Sequence, residues 1–173
     1  MVVTKDINRK KYVNAILYFL QNCNNNYLGA TKLNKLMYYL DFVSYRDREK
    51  SVTGDRYLHL DYGPVPDGLE DLLVELKQTN KISIIQKPYR DKHKTEFAAL
   101  ENTNPDVFDD YEQALLEKIS NVFELWSTDK IVSQTHLESP WFYSKPYDPV
   151  DYEYSHDIDI IPTDALPASS STS

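Results

Sequence analysis

The sequence predicts a mainly helical α+β protein: a single compact domain with a small β-hairpin and a winged-helix-like order of elements. Two observations carry that expectation. Apolar residues recur at helical spacing in four separate segments, and two strand-like runs, Ile82 to Gln86 and Thr95 to Leu100, flank a charged stretch from Lys87 to Lys94. A chain of 173 residues with 41% hydrophobic and 27% charged content is long enough to bury one core without disulfides.

Ile7 to Cys23 reads as the first helix, with Tyr12, Val13, Ile16, Leu17, Phe19 and Leu20 at helical spacing and the polar run Asn22 to Asn26 as its breaker. Thr31 is suited to cap a second helix whose stripe is Leu33, Leu36, Met37, Tyr39, Leu40 and Val43. Arg56 to Tyr62 alternates like a short strand that Gly63 and Pro64 would end. Pro66 then suits the first turn of a third helix, to about Asn80, burying Leu69, Leu72, Leu73 and Leu76. After the hairpin, Pro105 opens a helical region with Leu115, Leu116, Ile119, Val122, Phe123 and Trp126 as its stripe, and Asp106, Asp109 and Asp110 favour its positive end. Ser127 or Thr128 caps a further helix to about Leu137, which Ser139-Pro140 would end. The domain is expected from residue 5 to 145. Residues 146–173, rich in Pro, Tyr, Ser and acid, form a C-terminal segment expected to be partly disordered when free.

The net charge of −8 is uneven: residues 1–50 carry +5, residues 51–100 carry −1 and residues 101–173 carry −12. From Tyr147 onward there are six acidic residues and no Lys or Arg. That end is either a solubilising tail or an acidic arm that docks on a basic site. No stretch approaches the roughly 18 apolar residues of a membrane span, and the single Cys23 suits a reducing compartment, so a cytoplasmic protein without membrane contact is expected.

No catalytic signature emerges. The four glycines make no phosphate-cradling loop, and His59, His93, His136 and His156 occur singly, without a ligand pair at helical spacing. Cys23 ends an apolar helix with nothing nearby to activate it. No catalytic, cofactor or metal site is therefore expected. The third helix carries Asp67, Glu70, Asp71 and Glu75, which would repel a phosphate-lined groove, so direct DNA binding is not expected either. Lys87, Arg90, Lys92 and Lys94 would be the phosphate contacts if it occurred.

Fourteen tyrosines are many for this length. Tyr143, Tyr147, Tyr152 and Tyr154 fall in the Pro- and Asp-rich end, interspersed with Asp151, Glu153, Asp157 and Asp159. Rings supply contact area and carboxylates supply steering, so these eight residues are the candidate partner-binding set. Ile158, Ile160 and Ile161 would anchor the segment, either to a partner or back on its own domain.

The run Thr31-Lys32-Leu33-Asn34-Lys35-Leu36-Met37-Tyr38-Tyr39-Leu40, then Thr53-Gly54, then Asp61-Tyr62-Gly63-Pro64-Val65-Pro66 with Leu69, and later Thr135-His136 and Ser139-Pro140-Trp141, resembles the Panacea, or SocA-like antitoxin, domain over about residues 7–142. The motif residues Leu33, Lys35, Leu36, Tyr38, Tyr39, Tyr62, Gly63, Pro64, Val65, His136, Pro140 and Trp141 have mainly structural jobs, although packing accounts less readily for Lys35 and Tyr62. The resemblance implies a non-enzymatic antitoxin of a toxin-antitoxin system, of the kind found on phages and mobile elements. Its partner would be a cognate toxin encoded by an adjacent gene, with a higher-order complex possible. Such a toxin would target translation, as a tRNA-modifying relative of small alarmone synthetases does, and would be neutralised by direct contact that occludes its active site or substrate entry. Delivery of the toxin to a protease, or a small DNA-binding regulator, are the alternatives.

Overall fold

A computed structural model describes residues 6–23 and 28–167. The Ala168 to Ser173 end of the expected C-terminal segment lies outside them. Helix α1 (Arg9–Asn22) starts where the Asn8 side chain accepts the Lys11 N–H at 3.1 Å, and it buries the six apolar residues its periodicity marks. Helix α2 (Ala30–Arg48) is the centre of the molecule. From Leu33 to Val43 most of its side chains are buried, apolar and polar alike, as in a helix surrounded on every side.

Three departures from the sequence reading concern where elements begin. Helix α2 starts at Ala30, with Gly29 rather than Thr31 in the cap position. The cause is a two-residue strand, β1 (Leu28–Gly29), which pairs with Phe97 and Glu96 and holds the chain extended up to the helix. Strand β2 (Tyr57–Leu60) is not ended by Gly63-Pro64. Those residues open its partner, β3 (Gly63–Pro66), and in a two-stranded ribbon a proline on an outer edge removes no ladder bond. Helix α3 (Leu69–Gln78) therefore starts after Pro66, and the Gly68 N–H before it donates to Asp55 Oδ2 at 2.8 Å.

Strands β4 (Ile82–Tyr89) and β5 (Lys92–Ala99) pair in register out to Tyr89 and Lys92. The expected Lys87 to Lys94 loop is thus a continuous ribbon closed by Arg90-Asp91, with Arg90 at φ 55°. The sheet order is β1-β5-β4. Helix α4 (Asp110–Phe123) begins with a reciprocal cap in which Asp109 accepts from the Glu112 N–H and Glu112 accepts from the Asp109 N–H. Helix α5 (Thr128–His136) is capped by Ser127. Ser139-Pro140 starts a further short helix, α6 (Ser139–Phe142), because proline fits a first helical turn.

The C-terminal segment packs on the body from residue 147 to 166. Backbone bonds between Tyr147 and His59, His59 and Asp148, and Val150 and Tyr57 lay it along the outer edge of β2 at 2.7–2.9 Å. Tyr152 stacks on Phe42 at 4.2 Å, and Val150, Ile158 and Ile161 are buried. At the end of α2 the Arg46 guanidinium donates to the Ile158 carbonyl and, at 2.6 Å, to that of Ile161. A nearly buried cation thus closes two carbonyls that would otherwise lack partners.

Arg46→Ala is expected to cost about 1.5–3 kcal/mol, the range for hydrogen bonds to a charged group, and to expose the chain after Ile158 to proteolysis. Urea denaturation and limited digestion check this. Equal stability and equal resistance would mean that apolar contacts alone hold the segment.

A braced aromatic face as the candidate functional site

The site is built outward from polar groups on α2. Lys35 is fully buried, and its Nζ donates to the Pro64 carbonyl at 2.8 Å. Desolvation pulls its ammonium down to about 7. The turn above it depends on glycine. Gly63 has φ +103°, and a Cβ there would lie 2.6 Å from Thr135 Oγ1 and 2.9 Å from Lys35 Cε. Lys35 and Gly63 therefore form one contact that seats the β2–β3 turn on α2 and α5.

One turn along α2, the Tyr38 and Tyr39 hydroxyls donate to the two oxygens of Glu138 at 2.9 and 3.1 Å, and Gln134 Nε2 donates to the same carboxylate. Burial pushes the Glu138 carboxyl up to about 7 in spite of these donors. Glu138 immediately precedes α6, so its anchoring fixes where that helix starts. Trp141 completes the brace. Its indole lies between His59 and His136, at 4.3 and 4.0 Å between ring centroids, and its Nε1 donates to the Leu60 carbonyl at 2.9 Å. Burial lowers the pKa of both imidazoles, so the sandwich is built of neutral rings at neutral pH.

With Trp141 locked inward, its neighbours turn out. Phe142, Tyr143 and Tyr147 are 65%, 62% and 74% exposed. Phe142 meets Tyr143 edge-on at 5.1 Å, and Tyr143 stacks on Tyr154 at 5.5 Å. An exposed ring cluster of this kind is unusual for a solvated surface, since large apolar side chains grouped on the outside mark contact sites. Carboxylates rim it along the chain: Asp148, Asp151, Glu153, Asp157 and Asp159 are all exposed.

The candidate set divides into two groups. Tyr143, Tyr147, Tyr154 and Asp159 face solvent. Tyr152 does not: it packs on Phe42 and Tyr45, and its hydroxyl donates to the Asp55 carbonyl at 2.6 Å. Asp151 caps the turn Tyr152–Asp157, Glu153 accepts from the Tyr45 hydroxyl, and Asp157 accepts from Ser139. Phe142 and Asp148 join the face although neither is among the eight candidate residues. The available signal for Phe142 was its position next to Trp141, since adjacent helical residues point to different sides. Of the two motif residues that packing explained least, Lys35 is a buried brace, and Tyr62 sits 68% exposed on the turn that the brace holds.

Among the described residues no group of three His, Cys, Asp or Glu side chains is placed to hold a metal. Burial pushes the Cys23 thiol up to about 11. No described helix is long and apolar enough to cross a membrane. A second surface feature is an apolar cleft of about 870 Å³ between the two β-ribbons, with Leu58, Leu60, Val65, Leu73, Val74 and Ile84 on its walls.

The described residues thus form an α+β domain whose buried polar groups brace the packing and which presents a cluster of exposed rings. The family model described as "Antitoxin SocA-like, Panacea domain" matches residues 33–142, and the chain belongs to that family. No curated protein and no solved structure matches it. The matched span begins in α2 and ends at Phe142, so it contains the whole brace and stops one residue short of Tyr143.

Two outcomes follow for the brace. Gly63→Ala is expected to lose about 1–3 kcal/mol, the cost of a forced left-handed backbone, plus the displacement of Lys35 or Thr135; thermal denaturation reads it. For Glu138, the folded chain holds the carboxyl proton more tightly than the unfolded chain, so the group's contribution to stability falls as pH rises from 4.5 through about 7. Glu138→Gln cannot ionise. Its stability relative to the parent should rise across that window and level off above it, and a difference independent of pH would contradict the assignment.

Proposed function

We propose that this chain is a non-enzymatic antitoxin that neutralises a cognate toxin enzyme by docking its aromatic, acid-rimmed face over the toxin's cationic active site or substrate entry. The supporting observation is the exposed cluster Phe142–Tyr143–Tyr154, held in place by a buried brace that makes no use of those rings itself. Aromatic anchors on a rigid element are the usual energetic centre of protein interfaces, because they bury area at little entropic cost.

The charge pattern supports the choice of partner. Residues 101–173 carry −12, and the carboxylates beside the rings would steer a toxin whose site binds RNA or nucleotide phosphates. The family match supports the antitoxin role. That Tyr143, Tyr147 and Tyr154 lie beyond the matched span fits a division of labour in which a common brace presents a variable face. A cytoplasmic setting and a toxin encoded by an adjacent gene belong to the same proposal.

The test is growth rescue. Each reading frame flanking the gene is expressed alone and together with this chain, and one of them should arrest growth unless the chain is present. Phe142→Ala/Tyr143→Ala/Tyr154→Ala should bind that toxin at least about 100-fold more weakly and fail to rescue, with little change in melting temperature because the rings are exposed. Rescue by the triple variant equal to the parent's would move the docking site elsewhere, and failure of the parent against both neighbours would overturn the reading.

A further inference from the structure

The β4–β5 ribbon carries a cationic face that neither the core nor the aromatic face uses. Its register sets Lys87 opposite Lys94 and Tyr89 opposite Lys92. Alternation along a strand therefore places Lys87, Tyr89, Lys92 and Lys94 on one face of the ribbon, with Arg90 at the turn. Every residue from 86 to 94 is exposed. Four Lys and Arg against Asp91 give that stretch a net +3, within a chain of −8.

This arrangement works against the stability of the ribbon. Like charges directly opposite each other weaken an antiparallel pair, and Lys87 and Lys94 are such a pair. Glu96 pairs with both, at 3.1 and 3.4 Å. Arg90 and Lys92 form no ion pair among the described residues; the Arg90 guanidinium lies over the Tyr89 ring at 5.4 Å. The exposed Arg90 and Lys92 are therefore placed to meet an anion outside the protein.

We infer that this ribbon face docks on the sugar-phosphate backbone of nucleic acid without reading its sequence. Lys92 and Lys94 are two residues apart on one strand, about 6.8 Å, a separation close to that of successive phosphates along one strand. The neighbouring elements exclude a helix-led mode, because α3 presents Glu70, Asp71 and Glu75. An extended ribbon avoids that repulsion by reaching past the body, which the charged loop expected from sequence would not do. A lipid surface fits less well, since the turn offers Arg90-Asp91 where membrane insertion would need an apolar tip.

The experiment is fluorescence anisotropy with a labelled duplex of about 20 base pairs and a single-stranded RNA of similar length, in salt from about 50 to 200 mM. Binding is expected to either or both, with log K falling against log salt at a slope of about −1.8 to −3.6 on the duplex and about −1.4 to −2.8 on the single strand, the values for two to four phosphate contacts. Arg90→Glu/Lys92→Glu should weaken binding at least 10-fold, while Lys92→Arg should keep it. The double variant should still rescue growth from the toxin, which separates this inference from the docking proposal. No binding at about 50 mM salt, binding indifferent to the double substitution, or tighter binding to phosphatidylserine vesicles than to either nucleic acid would overturn it.

Discussion

Desolvation of α2 is the constraint on which the rest of the structure depends. A helix buried on every side must find partners inside the protein for each polar group it carries, and those partners fix its neighbours. Lys35 reaches the Pro64 carbonyl, and Tyr38 and Tyr39 reach Glu138. Asp41 accepts from the Val52 and Thr53 N–H groups and from the Tyr57 hydroxyl. Near its end, Arg46 takes two carbonyls of the C-terminal segment. Each bond pins a different element, so one helix specifies the placing of the β2–β3 turn, α6, the 52–57 link and the tail.

The energetic consequences are uneven. Burial raises the Asp41 and Glu138 carboxyls to about 6 and 7 and lowers Lys35 to about 7, which means that desolvation outweighs the hydrogen bonds each group makes. Buried polar groups of this kind are weak sources of stability and strong sources of specificity, because any alternative packing leaves them unpaired. The family match over residues 33–142 covers Lys35, Asp41 and Glu138 together with their partners. The aromatic face is its by-product in space: with Trp141 fixed between two imidazoles, Phe142 and Tyr143 have nowhere to go but outward.

Much of this was legible in the sequence and some was not, for physical reasons. Helices α1, α2 and α4 were readable because they carry long apolar periodicities. Strand β3 was hidden because Gly-Pro-Val-Pro reads as a breaker, and only the ribbon's outer edge makes its prolines tolerable. Strand β1 is two residues long and exists only through pairing to β5, a contact no local pattern encodes. The burial of Lys35 has no local mark, since burial of a cation without a carboxylate has no signature in sequence. In the C-terminal segment the residue types were informative, but Tyr152 and Tyr154 could not be told apart; one fills the space beside Phe42 and the other faces water. The basic stretch read as a loop because its strand residues are Lys, Tyr, His and Pro, and the register alone reveals which of them share a face.

Under the proposed function, the buried brace presents the 142–159 surface to a protein partner. Hydrogen–deuterium exchange of the chain, free and in complex with its toxin, tests this most directly. The account predicts slower exchange on binding at residues 142–159 and none along α3 and β4, which border the apolar cleft. Slowing confined to α3 and β4, with residues 142–159 unchanged, would contradict it and assign the docking site to that cleft.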